Sequence, residues 1–162
     1  LTAVIGLKNM IIVDTPDALL VCDKSQTENI KSVVNELKKH HREETMYHTK
    51  VYRPWGWYIN IDGNDHSGTK IKRLMVLPGK RLSLQSHEKR EEHWVVVNGT
   101  ACVELDGKEI ILEKNGYVHI PIGARHRIHN KGTELVEIVE TQVGIYLGEN
   151  DIVRYEDDFG RA

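Results

Sequence analysis

The stretch Pro78-Gly79-Lys80-Arg81-Leu82-Ser83-Leu84-Gln85-Ser86-His87, followed after a short charged turn by Glu92-His93-Trp94-Val95-Val96-Val97-Asn98-Gly99, decides how this chain is read. Gln85 and His87 stand two apart, so on a strand both side chains leave the same face and can meet one ion. Glu92 opens the return strand and can oppose His87, which adds a carboxylate. Asn98-Gly99 sits between apolar runs as a hairpin turn, because both positions readily take positive φ.

Outward from this stretch the pattern stays β-like. Short runs at about 51–61, 69–77, 81–86, 92–97, 100–105, 108–112, 117–121, 125–129, 133–143 and 151–155 are punctuated by Gly, Asn and Asp, with a second hairpin signal at Asp106-Gly107. Many short strands with regular turns imply a sandwich or barrel. A second polar cluster, Pro121-Ile122-Gly123-Ala124-Arg125-His126-Arg127-Ile128-His129-Asn130, places His126 just after a Pro-x-Gly turn, where it can supply a further ligand.

The first 45 residues read differently. Residues 9–13 and 18–22 are apolar runs separated by Asp14-Thr15-Pro16-Asp17, which predicts a strand pair. Ser25 with Glu28 forms a capping-box signature, and Ile30, Val33, Val34 and Leu37 follow at helical spacing, so one helix is expected over 26–40. It ends in Lys38-Lys39-His40-His41-Arg42, cations at the negative end of the helix dipole. The polar, aperiodic segment 42–50 reads as a linker, with a boundary near 45.

Composition narrows the function classes. The net charge is −2 over 162 residues with acids and bases interspersed, so there is no basic stripe for nucleic acid. No apolar stretch reaches the roughly 20 residues that span a bilayer. Cys22 and Cys102 lie far apart in apolar runs, as reduced, buried thiols do, which suits a cytoplasmic protein. Leu1 falls directly into an apolar segment, and the chain is expected to be a piece of a longer polypeptide.

The two clusters together resemble the paired motifs of the cupins. The first motif matches at Gly79, Gln85, His87, Glu92 and Gly99, and the second at Pro121, Gly123, His126 and Asn130, with Gly116 one residue closer to the proline than usual. The resemblance implies a mainly β double-stranded β-helix, a jelly-roll barrel, over 46–162, behind a short strand-pair-plus-helix appendage. It also implies a divalent metal held by Gln85, His87, Glu92 and His126. Gln85 stands where a first histidine is usual, and an amide oxygen there makes the donor set harder; zinc is the expected ion, with manganese and cobalt as alternatives, and redox chemistry is disfavoured.

A closer resemblance covers nearly the whole chain. Residues 53–58, 72–74, 82–87, 92–101 and 146–154 look like the C-terminal part of the bifunctional bacterial mannose-6-phosphate isomerase/mannose-1-phosphate guanylyltransferases, and residues 9–44 resemble the tail end of that family's guanylyltransferase portion. That assigns 1–45 to a guanylyltransferase remnant and implies a metal-dependent isomerase of mannose 6-phosphate and fructose 6-phosphate, serving GDP-mannose and polysaccharide synthesis. The family's nucleotide-binding half is absent from these 162 residues. By the same resemblance Arg154 would steady a developing oxyanion or hold phosphate, and Glu140 is a candidate base or a partner that orients one. Lys72 and Arg73 are candidate phosphate contacts, of which alternation lets only one face the barrel without saying which. His93, His119 and His129 lie on the opposite parity or outside the motifs and are read as structural. The competing reading is a non-catalytic cupin that binds sugar or joins two chains. A homodimer is expected in either case.

Overall fold

The computed structural model describes residues 3, 5–15, 18–40, 42, 45 and 50–160, and the chain divides into two compact units between residues 49 and 50. In the first unit, β1 (Met10–Asp14) and β2 (Leu19–Asp23) pair antiparallel from Met10 opposite Asp23 to Asp14 opposite Leu19. Thr15 donates to the Ala18 carbonyl from both its N–H, at 2.9 Å, and its hydroxyl, at 2.8 Å. Pro16 and Asp17 of the expected turn lie outside the described residues, as do His41 and most of the expected linker.

The helix begins differently from its sequence signature. Asp23 accepts from the Ser25 N–H at 2.8 Å and from its hydroxyl at 2.7 Å, so Ser25 acts as a donor and the box with Glu28 does not form. The chain winds as a 3-10 helix over Lys24–Asn29 and becomes α-helical only in α1 (Ile30–Lys39). Lys38 and Lys39 occupy its last turn as expected. Among the described residues no helix is long and apolar enough to cross a membrane.

The second unit is the jelly-roll barrel. Its strands are β3 (Lys50–Arg53), β4 (Gly56–Asp62), β5 (Thr69–Val76), β6 (Leu84–His87), β7 (Arg90–Asn98), β8 (Ala101–Leu105), β9 (Lys108–Leu112), β10 (Tyr117–Ile120), β11 (His126–His129), β12 (Val136–Gly144) and β13 (Ile152–Glu156). Six form one sheet in the order β10-β7-β12-β5-β4-β3, and five the other, β13-β6-β11-β8-β9. Both contribute to one core, which includes Leu74, Val76, Val96 and Ile138 from the first and Ala101, Val103, Leu112 and Ile128 from the second. Burying such side chains contributes about 1.5–3 kcal/mol each.

Only one of the two hairpins expected from Asn98-Gly99 and Asp106-Gly107 forms. Asp106 and Gly107 take φ of 47° and 76° and join β8 to its neighbour β9. At the other, Gly99 alone takes positive φ, 74°, and the chain leaves one sheet for the other, because β7 already has β10 and β12 on its two edges. The link from β6 to β7 crosses between the sheets in the same way.

Candidate active site

Three adjacent strands carry the inward face from apolar to charged. Leu74, Ile138 and Val96 stand opposite one another across β5, β12 and β7; next come Lys72, Glu140 and Trp94; then Lys70, Gln142 and Glu92. The first layer is core and the other two line a polar end. Lys70, Lys72, Arg90, Glu92, Glu140 and Gln142 are all buried there. Buried charges persist only when paired or hydrogen-bonded, so the partners of each define the site.

Opposite this layer the five-stranded sheet supplies His87 and His126. His87, Glu92 and His126 each offer a donor atom, and the three atoms lie within 4.8 Å of one another. Glu92 Oε1 is 3.1 Å from His87 Nε2, and Glu92 Oε2 is 3.5 Å from His126 Nε2. His126 Nδ1 lies 3.0 Å from the Ala124 carbonyl, which only accepts, so the proton sits on Nδ1. Nε2 therefore points its lone pair into the cluster, buried and without a hydrogen-bond partner. An imidazole whose outer nitrogen is tied to a carbonyl while its inner one is free has the orientation of a metal ligand. The residues present fit a divalent ion on that ground.

The electrostatics agree in direction. Burial raises the Glu92 carboxyl, but the close approach of the His126 and His87 imidazoles outweighs it and holds the group well below its ordinary range. Burial lowers His87, which favours a neutral imidazole. His126 is also penalised by burial, yet the neighbouring Glu92 lifts it, so without an ion it competes for a proton that an ion would displace.

Gln85 stands directly opposite His126 on one side and Arg154 on the other, so the three share the inward face. Its Oε1 accepts from the Ser83 hydroxyl at 3.0 Å. Arg154 is half-buried, with a buried Nε that has no partner. Glu140 accepts from Gln142 Nε2 at 2.6 Å, and burial together with the nearby Glu92 charge pushes its carboxyl up to about 7.

Lys72 and Arg73 part company. Lys72 faces inward, 5.1 Å from the Tyr58 ring centroid and 2.7 Å from Glu149 Oε1. Burial opposes its charge, but Glu149 and Glu140 outweigh that and raise it. In turn the Lys72 ammonium, against the opposing effect of burial, holds Glu149 at about 2. Arg73 points to the outer face and pairs with Glu137, so it is removed from the phosphate contacts expected at the site.

Sequence reading missed Arg90, Trp94, Gln142 and Glu149. Arg90 is 2% exposed; its Nε donates to Glu92 Oε1 at 3.1 Å, its Nη1 to the Gly148 carbonyl at 3.0 Å, and its Nη2 approaches His87 Nε2 at 3.4 Å. Trp94 Nε1 donates to Glu92 Oε2 at 3.1 Å. Parity with Glu92 was a sufficient signal for Arg90 and Trp94, and parity with Glu140 for Gln142. Glu149 arrives on the 3-10 turn Glu149–Asp151, for which alternation offers no signal.

Comparison with known proteins identifies the family and the fold. Residues 40–157 match the family model "Mannose-6-phosphate isomerase C-terminal", and residues 1–37 match "MannoseP isomerase/GMP-like beta-helix domain". Over all 162 residues the chain is 45% identical to the xanthan biosynthesis protein XanB of Xanthomonas campestris and covers 34% of it. It is 42% identical to the mannose-1-phosphate guanylyltransferase of Escherichia coli, again covering 34%. The chain thus spans about a third of the length of these curated relatives. Among solved structures, a protein with a double-stranded beta-helix domain from Klebsiella pneumoniae aligns with TM-score 0.56 at 16% identity, over 66% of this chain and 90% of that one. A cupin-2 domain from Rhodospirillum rubrum aligns with TM-score 0.52 at 13% identity, over 60% and 68%. The fold is that of a cupin, and the chain belongs to the mannose-6-phosphate isomerase C-terminal family.

Proposed function

We propose that the barrel is a metal-dependent isomerase site interconverting mannose 6-phosphate and fructose 6-phosphate. The observation that carries the reading is the buried His87, Glu92 and His126 trio with its unpartnered His126 Nε2, beside a carboxyl raised to about 7. His87, Glu92, His126 and the inward-facing Gln85 would hold the ion. A divalent ion there supplies Lewis-acid stabilisation of charge on the substrate's oxygens.

The reaction removes a proton from the carbon beside a carbonyl and returns one to its neighbour, through an enediol. Glu140 is the base: burial raises its carboxyl toward neutral pH, which matches it to both halves of such a transfer, typically worth about 10²–10⁴-fold. Gln142 fixes the Glu140 carboxyl from one side, and the register opposite Lys72 places a cation on the other. Lys72 and Arg154 are the candidate phosphate and oxyanion contacts, Lys72 by leaving Glu149 and Arg154 through its unpartnered Nε. Arg90 braces Glu92 and His87 from behind and is a positioning residue.

Residues 1–45 belong, on this reading, to the end of a guanylyltransferase portion, supported by the match over 1–37. The whole polypeptide would act in the cytoplasm, as a homodimer, in GDP-mannose supply for polysaccharide synthesis. One observation favours a second reading, a non-catalytic sugar-binding or oligomerisation module: Arg90 already neutralises Glu92 and bonds to His87 without an ion. Deuterium incorporation separates the two. Mannose 6-phosphate incubated with metal-loaded chain in D2O should give fructose 6-phosphate carrying solvent deuterium at C1. Recovery of unlabelled mannose 6-phosphate alone contradicts isomerisation.

A further inference from the structure

The inward residues of β7 are Arg90, Glu92 and Trp94, so Glu91 and His93 lie on the opposite, outer face of the six-stranded sheet. There β10, an edge strand, sets His119 directly opposite His93. The two imidazoles stack with centroids 4.7 Å apart and planes at 11°. Both turn toward one carboxylate: His119 Nε2 is 2.8 Å from Glu91 Oε2, and His93 Nε2 is 3.8 Å from Glu91 Oε1. One donor atom from each residue falls within 4.8 Å of the others.

We infer that Glu91, His93 and His119 form a second metal site, on the outer face of the barrel, for a divalent late transition metal of the zinc, nickel or copper class. Two imidazole nitrogens and a carboxylate oxygen are the donors those ions take from proteins. Donors bound to one tetrahedral zinc at about 2.0–2.1 Å sit roughly 3.3 Å apart, and the spacings of 2.8 and 3.8 Å straddle that value. His93 Nδ1 is 2.7 Å from the Tyr117 hydroxyl, a contact that orients the ring and leaves Nε2 for the ion. All three residues stand on paired strands, so their backbones are already fixed and only side-chain rotation is needed to bring the donors onto one ion. They are also about one-third or more exposed, at 33% for His93, 36% for Glu91 and 41% for His119, which leaves the remaining coordination positions open to water or an external ligand. An ion here would tie the edge strand β10 to β7.

The test uses the tag-free, metal-stripped chain dialysed against zinc, with bound metal measured by mass spectrometry. The His93→Ala/His119→Ala variant should bind one zinc equivalent fewer than the wild type. The His87→Ala/His126→Ala variant should keep the outer equivalent whether or not the buried cluster binds metal, so failure of one site is distinguishable from failure of the other. As a check independent of variant folding, the wild-type His93 and His119 imidazole 15N resonances should shift on adding zinc. Equal zinc content in wild type and His93→Ala/His119→Ala, or unmoved His93 and His119 resonances, overturns the inference.

Discussion

Replacing Glu140 by Gln in the metal-free chain should change how stability depends on pH, by an amount fixed by its surroundings. Burial and the Glu92 charge raise the Glu140 carboxyl from 4.5 to about 7. The folded protein therefore keeps a proton between those values that the unfolded chain has released, and the stability it confers is present below 4.5 and lost as pH rises to about 7. A displacement of this size corresponds to about 3 kcal/mol. The opposing carboxylates do not mask it: Glu92 and Glu149 are depressed, so their contributions fall away below the ordinary carboxyl range. Glu140 also helps to raise His126, so the difference between the two proteins carries that coupling as well. Urea unfolding followed by the buried Trp55 and Trp94 at pH 5, 6, 7 and 8 reads the effect. Stability of wild type minus Glu140→Gln should fall by roughly 2–3 kcal/mol across the range, and parallel profiles would refute the raised carboxyl and with it the assignment of Glu140 as base.

Lys72→Met should lower kcat/KM for mannose 6-phosphate by about 10–100-fold, the worth of a hydrogen bond to a charged group, while Arg73→Met on the outer face leaves it within about two-fold. His126→Ala should abolish metal retention at the buried cluster and His129→Ala should not, as measured by metal analysis after dialysis. Gly99→Ala places a Cβ 2.4 Å from the Leu135 carbonyl at a φ of 74°, and should destabilise the barrel by at least about 1–2 kcal/mol in thermal unfolding.

Much of the site was legible because strands turn spacing into direction. Gln85 and His87, two apart, do share a face, and the register that pairs Gln85 with His126 joins the two motifs. The same rule leaves the absolute face of an isolated strand open, which is why Lys72 and Arg73 were indistinguishable until the pairing of Lys72 with Glu140 turned one inward. Asn98-Gly99 misled because a turn signal reports local φ and not the vacancy of a strand edge. The capping box failed through competition, since Asp23 lay two residues upstream of Ser25 as a stronger acceptor. Glu149 reaches Lys72 across 77 residues of sequence, and no local pattern encodes such a meeting.

The most direct measurement is a coupled assay of mannose 6-phosphate conversion to fructose 6-phosphate by the purified chain, with metal content determined on the same sample. Turnover that chelator removes and zinc, manganese or cobalt restores is the predicted result. Stoichiometric metal at His87, Glu92 and His126 with no turnover would contradict it.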